Sequence, residues 1–70
     1  MRFYGIELSN GKLVGTNGSN VAPESMFIWL SENEAEAVRV SERKKAKGLE
    51  IKGIATFEVE EETGKIISRI

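Results

Sequence analysis

The chain contains neither cysteine nor histidine, and this absence constrains its fold more than any other feature of the sequence. A disulfide framework and a Cys/His zinc site are both excluded as ways of holding a small fold together. A domain of this size, 70 residues, buries only about 60% of the surface that its unfolded chain exposes. We therefore expect a single domain over residues 1–70, stabilised by its core alone or by its core and a partner subunit.

The charge balance argues against a domain that wraps on duplex DNA. Ten Lys and Arg residues stand against eleven acidic ones, which gives a net charge of −1, whereas such domains are usually strongly basic. No apolar run reaches the length of a membrane helix, and Met1-Arg2 leads directly into a strand-like segment instead of a signal-peptide core. The sequence predicts a cytoplasmic protein with no membrane partner.

A β-hairpin is predicted at the start of the chain. Residues 2–8 alternate between apolar and polar side chains, as a strand with one covered face does. Asn10-Gly11 follows, and this pair is a strong hairpin signal because both central residues of a type I′ turn need positive φ. A two-residue turn at this point would place Leu8 opposite Leu13, with both leucines on one face.

A polar loop and a short apolar strand are predicted next. Thr16 to Ser25 is rich in Gly, Asn and Ser, and it is long enough to be mobile or functional. Met26 to Leu30 is continuously apolar, which is typical of a strand covered on both faces. Alternation along this third strand places Met26, Ile28 and Leu30 on one side, and Phe27 and Trp29 on the other.

One helix is predicted from Glu32 to Lys47. Ser31 and Glu34 have the spacing of a capping box, and Gly48 is suited to end the helix because it tolerates positive φ. The apolar stripe of this helix is made mostly of small residues, which indicates a helix lying close against a sheet. Its predicted members are Ala35, Val38, Ala46 and, just beyond the helix, Leu49.

The last third of the chain has the pattern of a second hairpin. Residues 49–60 alternate, with Gly53 indicating a bulge or bend, and Lys65 to Ile70 form the return strand after a turn that ends at Gly64. The resulting chain order is βββαββ. We therefore predict the α+β class, with an antiparallel sheet of about five strands and one helix packed on one face.

The residue inventory argues against an enzyme. Without His, Cys or Asp, the usual pairs of nucleophile and base cannot be assembled. Gly11 and Gly64 lie in hairpin turns and not between a strand and a helix N-terminus, so they form no phosphate-binding loop, and the spacing of Gly15 and Gly18 in the polar loop carries almost no information. The carboxylates of Glu58 and Glu60 are better explained as cross-strand partners of basic residues than as metal ligands. We predict no catalytic residue, no metal or other cofactor, and no small-molecule substrate.

The apolar excess of the sheet predicts a protein-binding surface. One helix can cover one face of a sheet, yet the third strand is apolar on both sides. An uncovered apolar patch of this size exceeds what a monomer usually exposes. The predicted contact residues are Phe3, Val14, Phe27, Trp29, Ile54 and Ile67, with Trp29 as the anchor. The alternative is that the sheet curls and buries these side chains in a second small core.

The predicted contact residues favour a non-enzymatic module that acts through protein–protein contact, either as a homodimer or by docking on a larger partner. The alternative function is a small DNA- or RNA-binding regulator. Arg39, Arg43 and Lys47 recur every four residues on one side of the helix, with Lys44 beside them, and such a stripe can neutralise phosphates. Glutamates interleave with this stripe, and a basic last turn is also what helix capping favours.

One resemblance bears on this alternative. Ile28-Trp29-Leu30-Ser31, followed by Glu34-Ala35-Glu36-Ala37-Val38, resembles the junction between third strand and helix in AP2-type DNA-binding domains. The resemblance implies three antiparallel strands followed by a helix, and in that family the sheet reads DNA. The sheet of that family carries several Arg and Trp residues, whereas the first two strands here offer only Arg2 and Lys12.

Overall fold

The computed structural model describes residues 1–22, 25 and 27–70, and these residues form five strands and one helix. In chain order the elements are β1 (Arg2–Leu8), β2 (Leu13–Val14), β3 (Asn20–Val21), α1 (Glu34–Ala46), β4 (Ile51–Val59) and β5 (Ile66–Arg69). The strands form one antiparallel sheet in the order β3-β2-β1-β4-β5. The predicted α+β class, the chain order βββαββ and the packing of the helix on one face of the sheet are confirmed.

The β1–β2 hairpin is present, but its predicted register is wrong. The Leu8 N–H donates to the Lys12 carbonyl (2.8 Å) and the Gly11 N–H to the Leu8 carbonyl (3.0 Å), so the loop has three residues. Glu7 therefore pairs with Leu13. A type I′ turn would need positive φ at Asn10 as well, whereas here Gly11 alone takes it, at +85°. The extra loop residue places Leu8 and Leu13 on opposite faces of the sheet.

The third strand is also displaced from its predicted position. β3 lies within the predicted loop, where Val21 pairs with Leu13. Of the predicted strand at residues 26–30, Met26 lies outside the described residues, and Ile28 forms a single bridge with Gly15. Three residues later, Ser31 exchanges backbone hydrogen bonds with Tyr4 of β1 (2.7 and 3.0 Å). Residues 28–31 therefore link the end of β2 to the start of β1.

The helix begins two residues later than predicted. Asn33 is its N-cap, because the Asn33 side-chain oxygen accepts a hydrogen bond from the Ala35 N–H at 2.9 Å. Ser31, the predicted cap, is buried, and its hydroxyl oxygen accepts from the Asn33 N–H at 3.1 Å. At the other end Gly48 has a φ of +96°, which confirms the predicted terminator.

The buried side of α1 differs from the predicted stripe. Ala37 and Ser41 are buried, and Val40 and Lys44 are half-buried. The predicted stripe on the helix, Ala35, Val38 and Ala46, is exposed instead. Hydrophobicity alone selected the wrong side because the buried side contains two polar residues. Ser41 is tolerated there because its hydroxyl donates to the Val38 carbonyl at 2.7 Å.

The sheet curls into a half-barrel and carries a separate core on each face. Under α1 lies the helix-side core, which comprises Ile6, Leu8 and Val14 with half-buried Trp29, Val40, Leu49, Ile51 and Ile54. On the opposite face lies the far-side core, which comprises Leu13, Ile28, Ala55, Phe57 and Val59 with half-buried Phe3, Val21, Leu30 and Ile66. The alternative raised from the sequence, a curled sheet with a second small core, is therefore what the structure shows.

A bulge in β4 distributes its side chains between these two cores. Glu7 pairs with Gly53 and Leu8 with Ile51, so Lys52 is the extra residue, as Gly53 indicated. The bulge turns Ile51 to the helix side, while Ala55 and the alternate residues after it face the far side. The single apolar face predicted for residues 49–60 is thus divided between two faces.

The second hairpin follows the prediction closely. Gly64 has a φ of +70°, and its N–H donates to the Glu60 carbonyl at 2.9 Å. β5 begins at Ile66, one residue after the predicted start, and a register shift separates the Glu58 and Val59 pairings. Across the described residues, no helix combines the length and the apolar character needed to cross a membrane.

Candidate functional site

Four of the six side chains predicted as a contact surface are part of the cores. Val14, Trp29 and Ile54 belong to the helix-side core, and Val14 is almost fully buried. Phe3 is half-buried against the far-side core. The six side chains therefore do not share one surface, and Trp29 is not an exposed anchor. The prediction that they share one face is wrong because it assumed a flat sheet with one open face.

The remaining two predicted residues are exposed, and a third joins them. Phe27 is 63% exposed, and Ile67 and Ile70 are each 62% exposed. Phe27 lies beside the end of β2, where its carbonyl accepts from the Thr16 N–H at 2.8 Å. Ile67 lies in β5 and Ile70 directly follows this strand, at the opposite end of the strand order. Sequence reasoning missed Ile70, although three isoleucines in a short terminal return strand were the available signal.

β5 is the last strand of the sheet, and no described strand pairs with its outer side. The Ile70 N–H donates to the Thr56 carbonyl of β4 at 2.9 Å. Because peptide groups alternate in direction along a strand, those of Arg69 point outward. We call this outer side, residues 66–70, the β5 edge. An unpaired edge of this kind is a template for another strand.

The charged residue of β5 is directed inward, across the sheet. The Arg69 guanidinium donates to both carboxylate oxygens of Glu7, at 2.6 and 3.1 Å. Glu7 lies on β1, and β4 separates β1 from β5. The Arg69 side chain therefore crosses the far-side face of β4 and does not project along the β5 edge. Such bidentate pairs are the stronger type of charge-assisted hydrogen bond.

The ion pair shifts the titration of both partners. Hydrogen bonds from the Arg69 guanidinium hold the pKa of the Glu7 carboxyl below its ordinary value of 4.5, although burial opposes this shift. The same hydrogen bonds raise the pKa of Arg69. A second carboxylate behaves similarly, because the Met1 amine lies 2.8 Å from Glu58 and lowers the pKa of that carboxyl. Both carboxylates are therefore ionised at neutral pH.

The orientation of the helix exposes three of the four predicted basic residues to solvent and half-buries the fourth. Arg39, Arg43 and Lys47 are exposed along one side of α1. Lys44 is half-buried and lies near the loop after β2, since a Cβ built on Gly18 would be 3.8 Å from the Lys44 amine. The described residues contain two salt bridges, and neither involves these four side chains. Three of the four predicted phosphate contacts thus share a solvent-facing surface.

The described residues contain no group of three or more acidic side chains placed to hold a metal ion. A shallow depression lies between the first hairpin and the end of α1, where Ser9, Asn10, Lys47 and Glu50 contribute polar groups. The Ser9 hydroxyl donates to the Glu50 carboxylate at 3.1 Å. The absence of catalytic, metal and cofactor sites stays a prediction from the sequence.

The resemblance to AP2-type domains placed Ile28 to Leu30 in a third strand, whereas the structure places β3 at Asn20–Val21. No protein-family model, curated protein or solved structure matches the chain.

Proposed function

We propose that this domain is a non-enzymatic protein-binding module and that its contact element is the β5 edge. The observation that carries the proposal is the exposure of Ile67 and Ile70, 62% each, on a strand whose outer side has no described partner. Exposed isoleucines and outward peptide groups together fit the addition of an extended strand from another protein chain.

The energetic argument comes from the apolar side chains. Fully burying an isoleucine stabilises by about 1.5–3 kcal/mol, so covering the exposed parts of Ile67 and Ile70 would contribute about 2–4 kcal/mol before the entropy cost of association. Backbone hydrogen bonds from an added strand would contribute further. The β5 edge therefore supports a weak to moderate contact, of the kind that accessory modules make.

The direction of the Arg69 side chain, away from the β5 edge, supports the same proposal. Proteins usually protect exposed edges with charged side chains, prolines or bulges. The bulge here is confined to the start of β5, at Ile66 and Ile67, and the Arg69 charge is held by Glu7 on the far-side face. Residues 68–70 consequently present a regular strand edge without a charge directed along it.

The partner is a protein, either a second copy or an extended segment of a larger chain. We place the domain in the cytoplasm, because a chain without cysteine fits a reducing compartment. Neither a membrane, a nucleic acid nor a small molecule is needed to explain an apolar strand edge.

A peptide-display selection tests the proposal. The immobilised domain is presented with a random library of ten-residue peptides, and each binder is retested on Ile67→Lys and on Val38→Lys. We expect binders that are lost on Ile67→Lys and kept on Val38→Lys, because Val38 is also exposed but lies on α1. The proposal is wrong if the selection yields no binder, or if every binder is insensitive to Ile67→Lys.

Nucleic-acid binding is the second candidate, supported by the exposed side chains of Arg39, Arg43 and Lys47, none of which forms a salt bridge within the described residues. We expect duplex DNA to bind no tighter than the non-specific range near physiological salt. A tight complex whose salt dependence falls by about one unit of slope for each Ala substitution at Arg43 or Lys47 would favour this function instead.

A further inference from the structure

We infer that β5 opens and closes as a separate unit while the other strands stay folded, and that the ion pair between Glu7 and Arg69 is the latch that holds it closed. Proteins open locally where a segment buries few apolar side chains and has few contacts with the rest of the fold. The inference rests on the proposed function and adds its regulation, because the β5 edge exists only while β5 is closed.

The apolar packing of β5 is slight. Ile66 is half-buried against the far-side core, and the other three residues of the strand are exposed. Ile66 pairs with Val59 and Ser68 with Glu58, so Ile67 is a bulged residue that interrupts the pairing with β4. β4 is also the one described strand beside β5. The half-covered Ile66 is therefore the main apolar side chain that holds β5 on the sheet.

The ion pair supplies the side-chain hydrogen bonds of this strand. The Arg69 guanidinium donates to both carboxylate oxygens of Glu7, at 2.6 and 3.1 Å, and within the described part of the chain no other side-chain hydrogen bond involves residues 66–70. Glu7 is 9% exposed and lies in β1, which pairs with both β2 and β4. The latch thus fastens β5 to a strand that is not its own hydrogen-bonding neighbour.

Opening β5 separates the two partners of the latch. The nearly buried Glu7 carboxylate would then lose both of its hydrogen bonds, although Lys52 of β4 still acts on it as a cation. A buried acceptor left without a partner is costly, so the pair opposes opening. The largest fully buried side chains, Ile6 and Leu13, lie on β1 and β2. The rest of the sheet therefore keeps its main core residues when β5 opens.

Amide hydrogen exchange, followed by NMR, measures the opening. The Ile70 N–H donates to the Thr56 carbonyl at 2.9 Å and reports on β5. The Tyr4 N–H donates to the Ser31 carbonyl at 2.7 Å and reports on β1 at the centre of the sheet. In the unmodified chain Ile70 should exchange faster than Tyr4, because β5 opens without unfolding of the whole domain.

Two variants remove the latch from either side. Glu7→Gln and Arg69→Gln should each speed the exchange of Ile70 relative to Tyr4 by about three- to tenfold, the range for a bidentate pair that is partly exposed. Both amides are read in one sample, so a general loss of stability does not change their ratio in this way. Arg69→Gln changes an exposed residue, and it keeps the test valid if Glu7→Gln does not fold.

Glu58→Gln is the matched control. It makes the same substitution on β4, opposite Ser68 of β5, but the ion pair that it removes is with the Met1 amine, before β1. The exchange of Ile70 relative to Tyr4 should stay as in the unmodified chain. An unchanged ratio in the latch variants, or an equal change in Glu58→Gln, overturns the inference.

The outcomes separate this inference from the proposed function. If the latch variants behave as expected but the peptide display yields no binder that is lost on Ile67→Lys, β5 opens as inferred and the proposed function is wrong. If such binders are found while the exchange of Ile70 does not respond to the latch variants, the proposed function stands and the latch is overturned.

Discussion

At the scale of single residues, the ion pair between Glu7 and Arg69 connects the two ends of the chain. Glu7 lies in β1 and Arg69 in β5, and the guanidinium contacts both carboxylate oxygens across the intervening strand β4. Glu7 is nearly buried while the Arg69 side chain is 45% exposed. The pair ties β5 to the centre of the sheet and keeps the Arg69 charge off the β5 edge.

The ion pair predicts a specific response to acid. The pKa of Glu7 is lower in the folded chain than its ordinary value of 4.5, so its contribution to stability is present above that value. The contribution is lost as pH falls through the lower folded pKa. Thermal unfolding of Glu7→Gln should therefore show a weaker loss of stability below pH 4.5 than the unmodified chain. Some acid sensitivity should remain, because the pKa of Glu58 is lowered with the same sign.

Glu61→Gln provides the control, since Glu61 lies exposed in the turn after β4. Its acid profile should match that of the unmodified chain. If Glu7→Gln also followed the unmodified profile, the ion pair would have no part in the stability of the sheet. Trp29, the single tryptophan, provides the fluorescence signal for these measurements.

At the scale of elements, the sequence predicted three features that depend on local backbone geometry. Gly48 ends the helix, Gly64 completes the second hairpin, and the bulge falls beside Gly53. In each case a single residue carries the signal. The register of the first hairpin was missed, because two- and three-residue loops both place glycine at position 11 and differ in the φ of Asn10. Which of the two loops forms depends on how the strands pair elsewhere in the sheet.

Two glycines allow this geometry to be tested as a matched pair. A Cβ added at Gly11 or at Gly53 meets nothing within 4 Å, but only Gly11 has positive φ, at +85°. Gly11→Ala should therefore lower the free energy of unfolding by about 1–2 kcal/mol. Gly53→Ala should raise it by about 0.4–1 kcal/mol, because alanine restricts the unfolded chain. Urea denaturation measures both, and equal effects would contradict the positive φ of Gly11.

At the scale of the whole molecule, the curl of the sheet decides which apolar side chains are available for contacts. Leu13 and Val14 alternate along β2, and each face of the sheet has a core that buries one of them. Ile28 packs in the far-side core with Phe57, on the face that the sequence predicted to be open. The candidate site could not be predicted in full, because the periodicity of a strand shows two faces but not how far a sheet curls. Ile67 was predicted to be exposed because it would lie on an open sheet face. In the structure it is exposed because it lies in an edge strand.

The far-side core predicts the cost of truncating side chains on both faces. Leu13 and Ile6 are each fully buried, Leu13 on the far side and Ile6 under the helix. Leu13→Ala and Ile6→Ala should each cost about 2–5 kcal/mol in the free energy of unfolding. Ile70→Ala, at an exposed position, should change it by no more than about 0.5 kcal/mol. If Leu13→Ala cost as little as Ile70→Ala, the face away from the helix would be open to solvent.

The central claim is that the molecule makes its contacts along the β5 edge, and NMR mapping of a display-selected peptide tests it most directly. Amide ¹H–¹⁵N spectra of the labelled chain are compared without the peptide and with it at up to about 1 mM, a range suited to an interface of the weak class. We predict that peptide-dependent shifts concentrate at residues 66–70 and at Thr56 to Glu58 behind them. Shifts that cluster instead along the exposed side of α1, or around Phe27, would contradict the claim.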